Sequence, residues 1–332
     1  MNAVPAAPGT AIDFDPGAVI DHPSGFLALS PRNRRFVVSG VPGFIAYRGS
    51  GMHLIALGGV HAPRESRAEL LDGFLALARR RFRRVLAVQV RADQVNLFRE
   101  HGFIVNQLGS TYGVRLPGFT CAGTRRMKVR QKVKQARTAG LRVLEVGVEM
   151  PADEETFERL GVVSTKWLRA KRKKELDFMV GELGQAGDPR RRIFAVVDST
   201  EVMQGFITYV PSWGERPGYL HDLTRRLPDC PVGTMELCNA VAIERLASGG
   251  AEYLHFGFTP FAVGAEEGTG SSRILAWFVR QLWQRGSLIY PAQSQVAYKH
   301  KWAPEYIEPE FVAARPLSLR AIFDLLLLTR SI

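Results

Sequence analysis

The chain has 332 residues, 46% of them hydrophobic, and 44 Lys plus Arg against 32 Asp plus Glu, a formal net charge of +12. That length suits two ordinary globular domains, and the basic excess points to polyanionic partners, nucleic acid or an anionic lipid surface, without bearing on fold. Three cysteines (Cys121, Cys230, Cys238) without CxxC spacing argue against a zinc or disulfide framework, so no metal is expected. No apolar run approaches the ~20 residues that cross a bilayer and no signal-peptide pattern opens the chain, so a cytoplasmic protein is expected, at most peripheral at the inner membrane surface.

Residues 1–30, rich in Pro, Gly and Asp, read as a loosely ordered lead-in. Residues 31–123 read as a first α/β unit. Three strands (FVVSG, FIAYRGSG, HLIALGGV) are separated by Gly-rich turns, and a helix from Arg64 to Phe82 carries Leu70, Leu71, Phe74, Leu77 and Ala78 on one face. The strand VLAVQV, a short helix from Asp93 to His101 stopped by Gly102, and a strand pair, FIVNQLG and STYGVRL, complete it.

Residues 124–175 read as a basic helical connector. A helix from Thr124 to Arg142 brings Arg126, Arg130, Lys134 and Arg137 to one face at spacings of three and four, and a second basic run, KWLRAKRKK, contains Lys171 and Lys173. A lone basic helix is commonly a solvated connector; two such runs flanking a domain link favour a phosphate-binding surface, which carries affinity without sequence information.

Residues 176–314 repeat the order of elements: strands Ile193–Val197 and Met203–Val210, a strand ending at His221, a helix from Gly233 to Ala247, a strand Tyr253–Gly257, a helix from Arg273 to Arg285 and a strand at Leu288–Ile289. Residues 315–332, with LSLRAIFDLLLLTRSI, predict an amphipathic helix that lies on a membrane or docks on the second domain.

The stretch Gly218–Phe261 is a βαβ-type unit, and ligands of such units gather at the carboxyl ends of the strands. His221, Asp222 and Arg225 lie at such an end, either as a site or as a surface ion pair. Glu236, on the first helical turn, faces that site or complements the helix dipole. Trp167, Phe178, Trp277, Phe278, Trp283 and Trp302 are spaced as core aromatics, and Glu266, Glu267 and the GTGSS run form a candidate lid. No Ser or Cys sits in a nucleophile elbow, so covalent catalysis is not supported.

The element order resembles the GNAT acyltransferase fold, yet the coenzyme A loop [Q/R]xxGx[G/A] has only REHGFI and RTAGLR as near matches, each wrong at its last position. Read together, YRGSGMHLIALGGV, GSTYGVRLPGF, STKWLRAKRKKELDFMVG, GYLHDLTRR with PVGTMELC, YLHFGFTPFA and IYPAQSQVAYKHKWAPEYIEP resemble, in order from Phe36 to Ala313, the catalytic domain of the phosphatidylglycerol lysyltransferases, the multiple peptide resistance factor family. The resemblance implies an α/β (α+β) fold of tandem GNAT-like acyltransferase domains, with mixed, mostly antiparallel sheets flanked by helices. It implies transfer of an amino acid, lysine or alanine, from aminoacyl-tRNA to phosphatidylglycerol, with no cofactor.

By the same resemblance, the DLxR signature falls on Asp222, Leu223 and Arg225, the WLxxK…E segment on Trp167, Leu168, Lys171 and Glu175, and the closing segment on Tyr298, Lys299, Lys301 and Trp302. Asp222 would receive the α-ammonium or the acceptor proton, Arg225 and Lys299 would bind phosphate or the developing oxyanion, and Glu175 would recognise the amino acid. His221, Glu236, Tyr298 and Lys301 would complete the substrate site, and Arg126, Arg130, Lys134, Arg137, Lys171 and Lys173 would hold the tRNA. Two departures stand out: DFMVG replaces FSxG, and no flippase spans precede the domain, so a soluble small-molecule acceptor stands beside an anionic lipid. A coenzyme A-dependent N-acyltransferase and a non-catalytic RNA-binding module are the rivals.

Overall fold

The computed structural model describes residues 3–6, 15–171, 177–184, 189–263, 292–315 and 318–330, with residues 272, 277, 281, 283 and 284. Strands β1 (Ala3–Ala6), β2 (Arg34–Val38), β3 (Val41–Ser50), β4 (His53–Leu57), β5 (Arg84–Arg91) and β6 (Ile104–Arg115) come from the first half. Strands β7 (Arg142–Glu145), β8 (Arg192–Val197), β9 (Met203–Ser212), β10 (Gly218–Arg226), β11 (Tyr253–Pro260) and β12 (Tyr306–Arg315) follow. All twelve join one sheet, ordered β1-β2-β3-β4-β5-β12-β6-β11-β10-β9-β8-β7.

Among the described residues, two neighbouring strand pairs are parallel, β4 with β5 and β10 with β11, and the rest are antiparallel. The parallel pairs sit symmetrically about the central β12–β6 pair, so the sheet repeats the same pattern outward in both directions. Each parallel pair is bridged by a long helix, α2 (Arg67–Arg80) or α6 (Thr234–Ser248), as parallel strands require. Leu70, Leu71 and Phe74 of α2 seat on Phe36, Tyr47, Val85 and Ala87, and α6 seats on Phe194, Ile207, Tyr209 and Leu254. Phe74 is wholly buried, so its truncation to Ala would cost ~3–5 kcal/mol.

Four readings change. The expected strand pair at 103–116 is one continuous strand, β6. Gly109 and Gly113 are not turn residues there: a Cβ would overlap the Thr259 carbonyl in the first case and the Tyr306 ring in the second. Residues 16–29 are not a loose lead-in, because their Pro and Asp serve as helix chemistry. Asp15 caps α1 (Pro16–Val19) by accepting from Gly17 N at 3.0 Å, and Phe26 and Leu27 are buried beyond it. The connector is built into the fold: α4 (Met127–Thr138; the short α3 spans Val95–Glu100) buries Val129 and Ala136 in the same cluster as α6. The helix α5 (Glu154–Lys171), unread in the sequence, packs Leu160 and Val163 against Phe206 and Leu223.

The C-terminal helix, α8 (Leu319–Leu328), docks on the first half rather than the second. Its buried Asp324 accepts from Met52 N at 2.8 Å and lies 2.7 Å from Nδ1 of His53. Of the sequence expectations, the helix 273–285 (apart from isolated helical residues), the strand at Leu288–Ile289, the candidate lid (apart from Ser272, which exchanges hydrogen bonds with Asn106) and Phe278 lie outside the described residues.

Candidate functional site

The polar corner of the sequence is a bulge inside a strand, not a strand end. β10 pairs with β9 as far as Arg226, with a register shift between His221 and Thr224. Its parallel pairing with β11 stops after Leu220 meets His255, so the two strands part where the polar residues begin. The bulge sends Asp222, Leu223 and Arg225 toward α5 and His221 and Thr224 toward α7 (Ala292–His300).

On the α5 side, Asp222 is 2% exposed and its Oδ2 lies 2.9 Å from Nη1 of Arg191, itself 5% exposed. Burial pushes the Asp222 carboxyl up to about 6, against the pull of Arg191. The backbone of Gly181 lies directly over it, since a Cβ there would overlap the carboxylate. Arg225 is buried, donating from Nε to Ser164 Oγ at 3.2 Å and from Nη1 to the Thr224 carbonyl at 3.0 Å, and it stacks 4.4 Å from the Trp167 ring. Trp167 is therefore half-buried beside the site rather than in the core, and Trp277 is exposed; Phe178 and Trp302 are buried as expected.

Beside Asp222 opens a cavity of about 860 Å³. Its walls include Arg32, Arg48, Arg190 and Arg191, apolar faces from Leu27, Leu168 and Phe178, and Gly181 and Ser164. Asp177 bridges Arg48 at 2.9 Å and Arg32 at 3.4 Å. Cations and apolar walls together suit an anionic amphiphile.

On the α7 side, Lys299 is buried and donates from Nζ to the Gly257 carbonyl at 2.6 Å and to Thr259 Oγ1 at 2.7 Å, filling the opening between β10 and β11. Burial pushes its amine down to about 7, with Glu310 pulling the other way. Glu310, on β12, is buried; neither carboxyl oxygen has a hydrogen-bond partner among the described residues, and burial pushes it up to about 8 against Lys299. His221 packs among the rings of Tyr209, Phe256 and Tyr298, and burial, then the Lys299 charge, pushes it down to about 3, so its imidazole is neutral. Glu236 and Lys301 satisfy each other at 2.9 Å, with the Tyr298 ring beside Lys301.

The expected tRNA residues divide. Arg126 donates to the Trp302 carbonyl at 2.9 Å and lies 4.2 Å over the Phe119 ring, and Arg130 donates to the Cys121 carbonyl at 2.8 Å. Both brace the 119–123 loop. Lys134, Arg137 and Lys171 are exposed, while Lys173 and Glu175 lie outside the described residues.

The structure thus sets Asp222 and Arg225 directly behind the cavity walls, against Arg191, Gly181 and Ser164, and Lys299, His221, Tyr298, Lys301 and Glu236 on the α7 side of the sheet. Sequence reasoning missed Arg191, Gly181 and Glu310. Glu310 alone left a signal, an acid embedded in the apolar strand EFVAA. Among the described residues no cluster of three or more His, Cys, Asp or Glu could hold a metal ion.

The model of the family described as "Phosphatidylglycerol lysyltransferase, C-terminal" matches residues 18–314. The lysylphosphatidylglycerol biosynthesis bifunctional protein LysX of Mycobacterium tuberculosis (strain ATCC 25618 / H37Rv) is 27% identical over 218 residues, which are 63% of this chain and 18% of that protein. The LysX of Mycolicibacterium vanbaalenii is 30% identical over 220 residues, 63% and 19% respectively. The chain therefore spans less than a fifth of the length of these relatives. L-PGS from Bacillus licheniformis superposes with a TM-score of 0.73 at 22% identity, over 93% of this chain and 90% of that one. The C-terminal domain of an Agrobacterium fabrum protein described as a lysylphosphatidylglycerol synthetase gives 0.75 at 20% identity, over 94% of each. At these identities the likeness is one of fold, and that fold is the expected mixed, mostly antiparallel sheet flanked by helices.

Proposed function

The chain belongs to the phosphatidylglycerol lysyltransferase C-terminal family, and from that premise we propose that it transfers an aminoacyl group from aminoacyl-tRNA to the glycerol hydroxyl of phosphatidylglycerol at the inner membrane surface. The observation that carries this reading is the buried Asp222–Arg191 pair, with Arg225 close by, beside a cavity that is both cationic and apolar.

An aminoacyl ester is already activated, so catalysis consists of orientation, proton movement and stabilisation of the developing oxyanion. The acceptor hydroxyl oxygen attacks the ester carbonyl carbon and the bond from that carbon to the tRNA ribose oxygen breaks. The hydroxyl proton passes by way of Asp222 to the departing ribose oxygen. A carboxyl raised to about 6 is ionised at neutral pH yet basic enough for this. The cavity arginines, Arg225 among the neighbouring groups, receive the lipid phosphate. Lys299, at the strand opening, faces the developing negative charge, and the exposed cations of α4 and α5 take the tRNA backbone. No helix among the described residues is long and apolar enough to cross a membrane, which suits action on a lipid from the surface.

Incubation with aminoacyl-tRNA labelled in its amino acid and phosphatidylglycerol tests the reading. Label in the organic phase supports it; label in a water-soluble adduct moves the acceptor to a small molecule; acylation from a coenzyme A thioester without tRNA overturns it.

A further inference from the structure

Phe82 is 89% exposed and holds a left-handed backbone, φ 52°, in the turn between α2 and β5. The exposure is built in: Phe82 N donates to the Arg79 carbonyl at 3.0 Å, Arg83 N to Ala78 at 2.9 Å and Arg84 N to Met52 at 2.9 Å. Every other residue from 79 to 84 is an arginine, all five are exposed, and no acid interrupts them. A non-glycine residue in this conformation is strained, and a strained, fully presented aromatic calls for a partner.

Apolar neighbours extend the patch. Met52, whose carbonyl holds Arg84, is 48% exposed, and its N–H is bonded to Asp324 of α8. The buried Asp324 fixes the rotation of α8, so that Phe323 and Leu327, each 43% exposed, form an outward stripe with Arg320. The pairings place the starts of β4, β5 and β6 on the sheet edge where β10, β11 and β12 finish. The far end of α8 also meets the cavity wall, with Asp177 N donating to the Thr329 carbonyl at 3.2 Å.

We infer that Phe82, Met52 and the Phe323–Leu327 stripe form a bilayer-docking surface, in which the apolar side chains enter the interface of an anionic leaflet while Arg79–Arg84 and Arg320 engage its head groups. A ring of cations around protruding apolar residues complements such a leaflet in both charge and polarity. RNA would use the arginines and stack on the aromatics, but it offers nothing to Met52 and Leu327, which is why a lipid surface is favoured.

The choice of phosphatidylglycerol rests on the proposed acceptor, whereas docking needs no turnover, so the two ideas fail separately. Full-length protein is sedimented with vesicles of phosphatidylglycerol and phosphatidylcholine, and with phosphatidylcholine alone. Salt-sensitive binding to the first only is expected, ~tenfold weaker for Phe82→Ala and lost at physiological salt for Arg81→Glu/Arg83→Glu. Transfer to detergent-dispersed lipid should be unchanged in these variants. Phe82→Trp should shift its emission to the blue on anionic vesicles and not with tRNA. Absence of vesicle binding at low salt, equal binding by Phe82→Ala, or a Phe82→Trp response to tRNA alone would each overturn the inference.

Discussion

Lys299 of α7 and Glu310 of β12 are buried together in the centre of the sheet, and each supplies the strongest opposing charge that the other feels. Burial draws both toward their neutral forms, the amine to about 7 and the carboxyl to about 8, while the charge of each favours the ionised form of the other.

That relationship fixes a pH dependence. Transfer should rise through about 6 as Asp222 ionises and fall beyond about 7 as Lys299 loses its proton. Glu310 favours the charged lysine, so Glu310→Gln should move the upper limb to lower pH and leave the lower limb in place. A kcat/KM profile measures both limbs; an unmoved upper limb would remove Lys299 from the rate-limiting ionisation.

At the other side of the opening, Asp222→Asn should lower transfer by ~10²-fold or more. It also strands the buried Arg191, at a cost of ~3–5 kcal/mol. Asp222→Asn with Arg191→Met should recover much of that stability in denaturant melts and none of the turnover. Recovery of turnover would show that the carboxylate acts only in folding.

Gly181→Ala adds one methyl where the carboxylate of Asp222 lies. The 177–184 segment must then lift away, so transfer should fall while a control such as Gly49→Ala, whose new Cβ would meet only the Leu54 side chain at 4.0 Å, keeps its turnover. Equal turnover in the two variants would show that closure over Asp222 is not needed.

Acid should unfold the protein through its histidines. Burial pushes His22 and His221 down to about 3 and His61 and His255 to about 4, from 6.5. The unfolded chain therefore binds more protons than the native one between roughly pH 6.5 and 4, and stability falls as pH drops through that window. Asp222 and Glu310, raised by burial, act in the opposite sense, but four groups outweigh two. Denaturant midpoints at pH 7.5, 5.5 and 4.5 should fall in that order.

For tRNA, Lys134→Glu and Arg137→Glu should weaken binding, each reducing the salt slope by ~1. Arg126→Ala should instead lower the melting temperature, because its guanidinium braces carbonyl groups of the 119–123 loop and Trp302.

The sequence was legible where pattern and packing agree: α2, with its apolar face, and α6 stand close to their expected bounds, whereas β10 runs five residues past its expected end at His221. β12 was not, because Glu308, Pro309 and Glu310 break a strand's alternation. Pro309 is tolerated where β12 pairs with β6 before its pairing with β5 begins at Glu310, and Glu310 is buried by distant parts of the chain. Asp222 and Arg225 were legible from the DLxR spacing. Their partners Arg191 and Gly181 were not, since only the folded loop carries them to the bulge. The face of α4 likewise misled: spacing aligned Arg126 with Lys134, but capping and loop carbonyls claim the first and leave the second to solvent.

The central claim is tested most directly by single-turnover mixing of wild type and Asp222→Asn with tRNA carrying a labelled amino acid and excess phosphatidylglycerol, followed by lipid extraction. The account expects label to appear in the lipid fraction for wild type and to stay on the tRNA for the variant. Equal lipid labelling by the two proteins, or none by wild type under conditions where it binds both substrates, would contradict it.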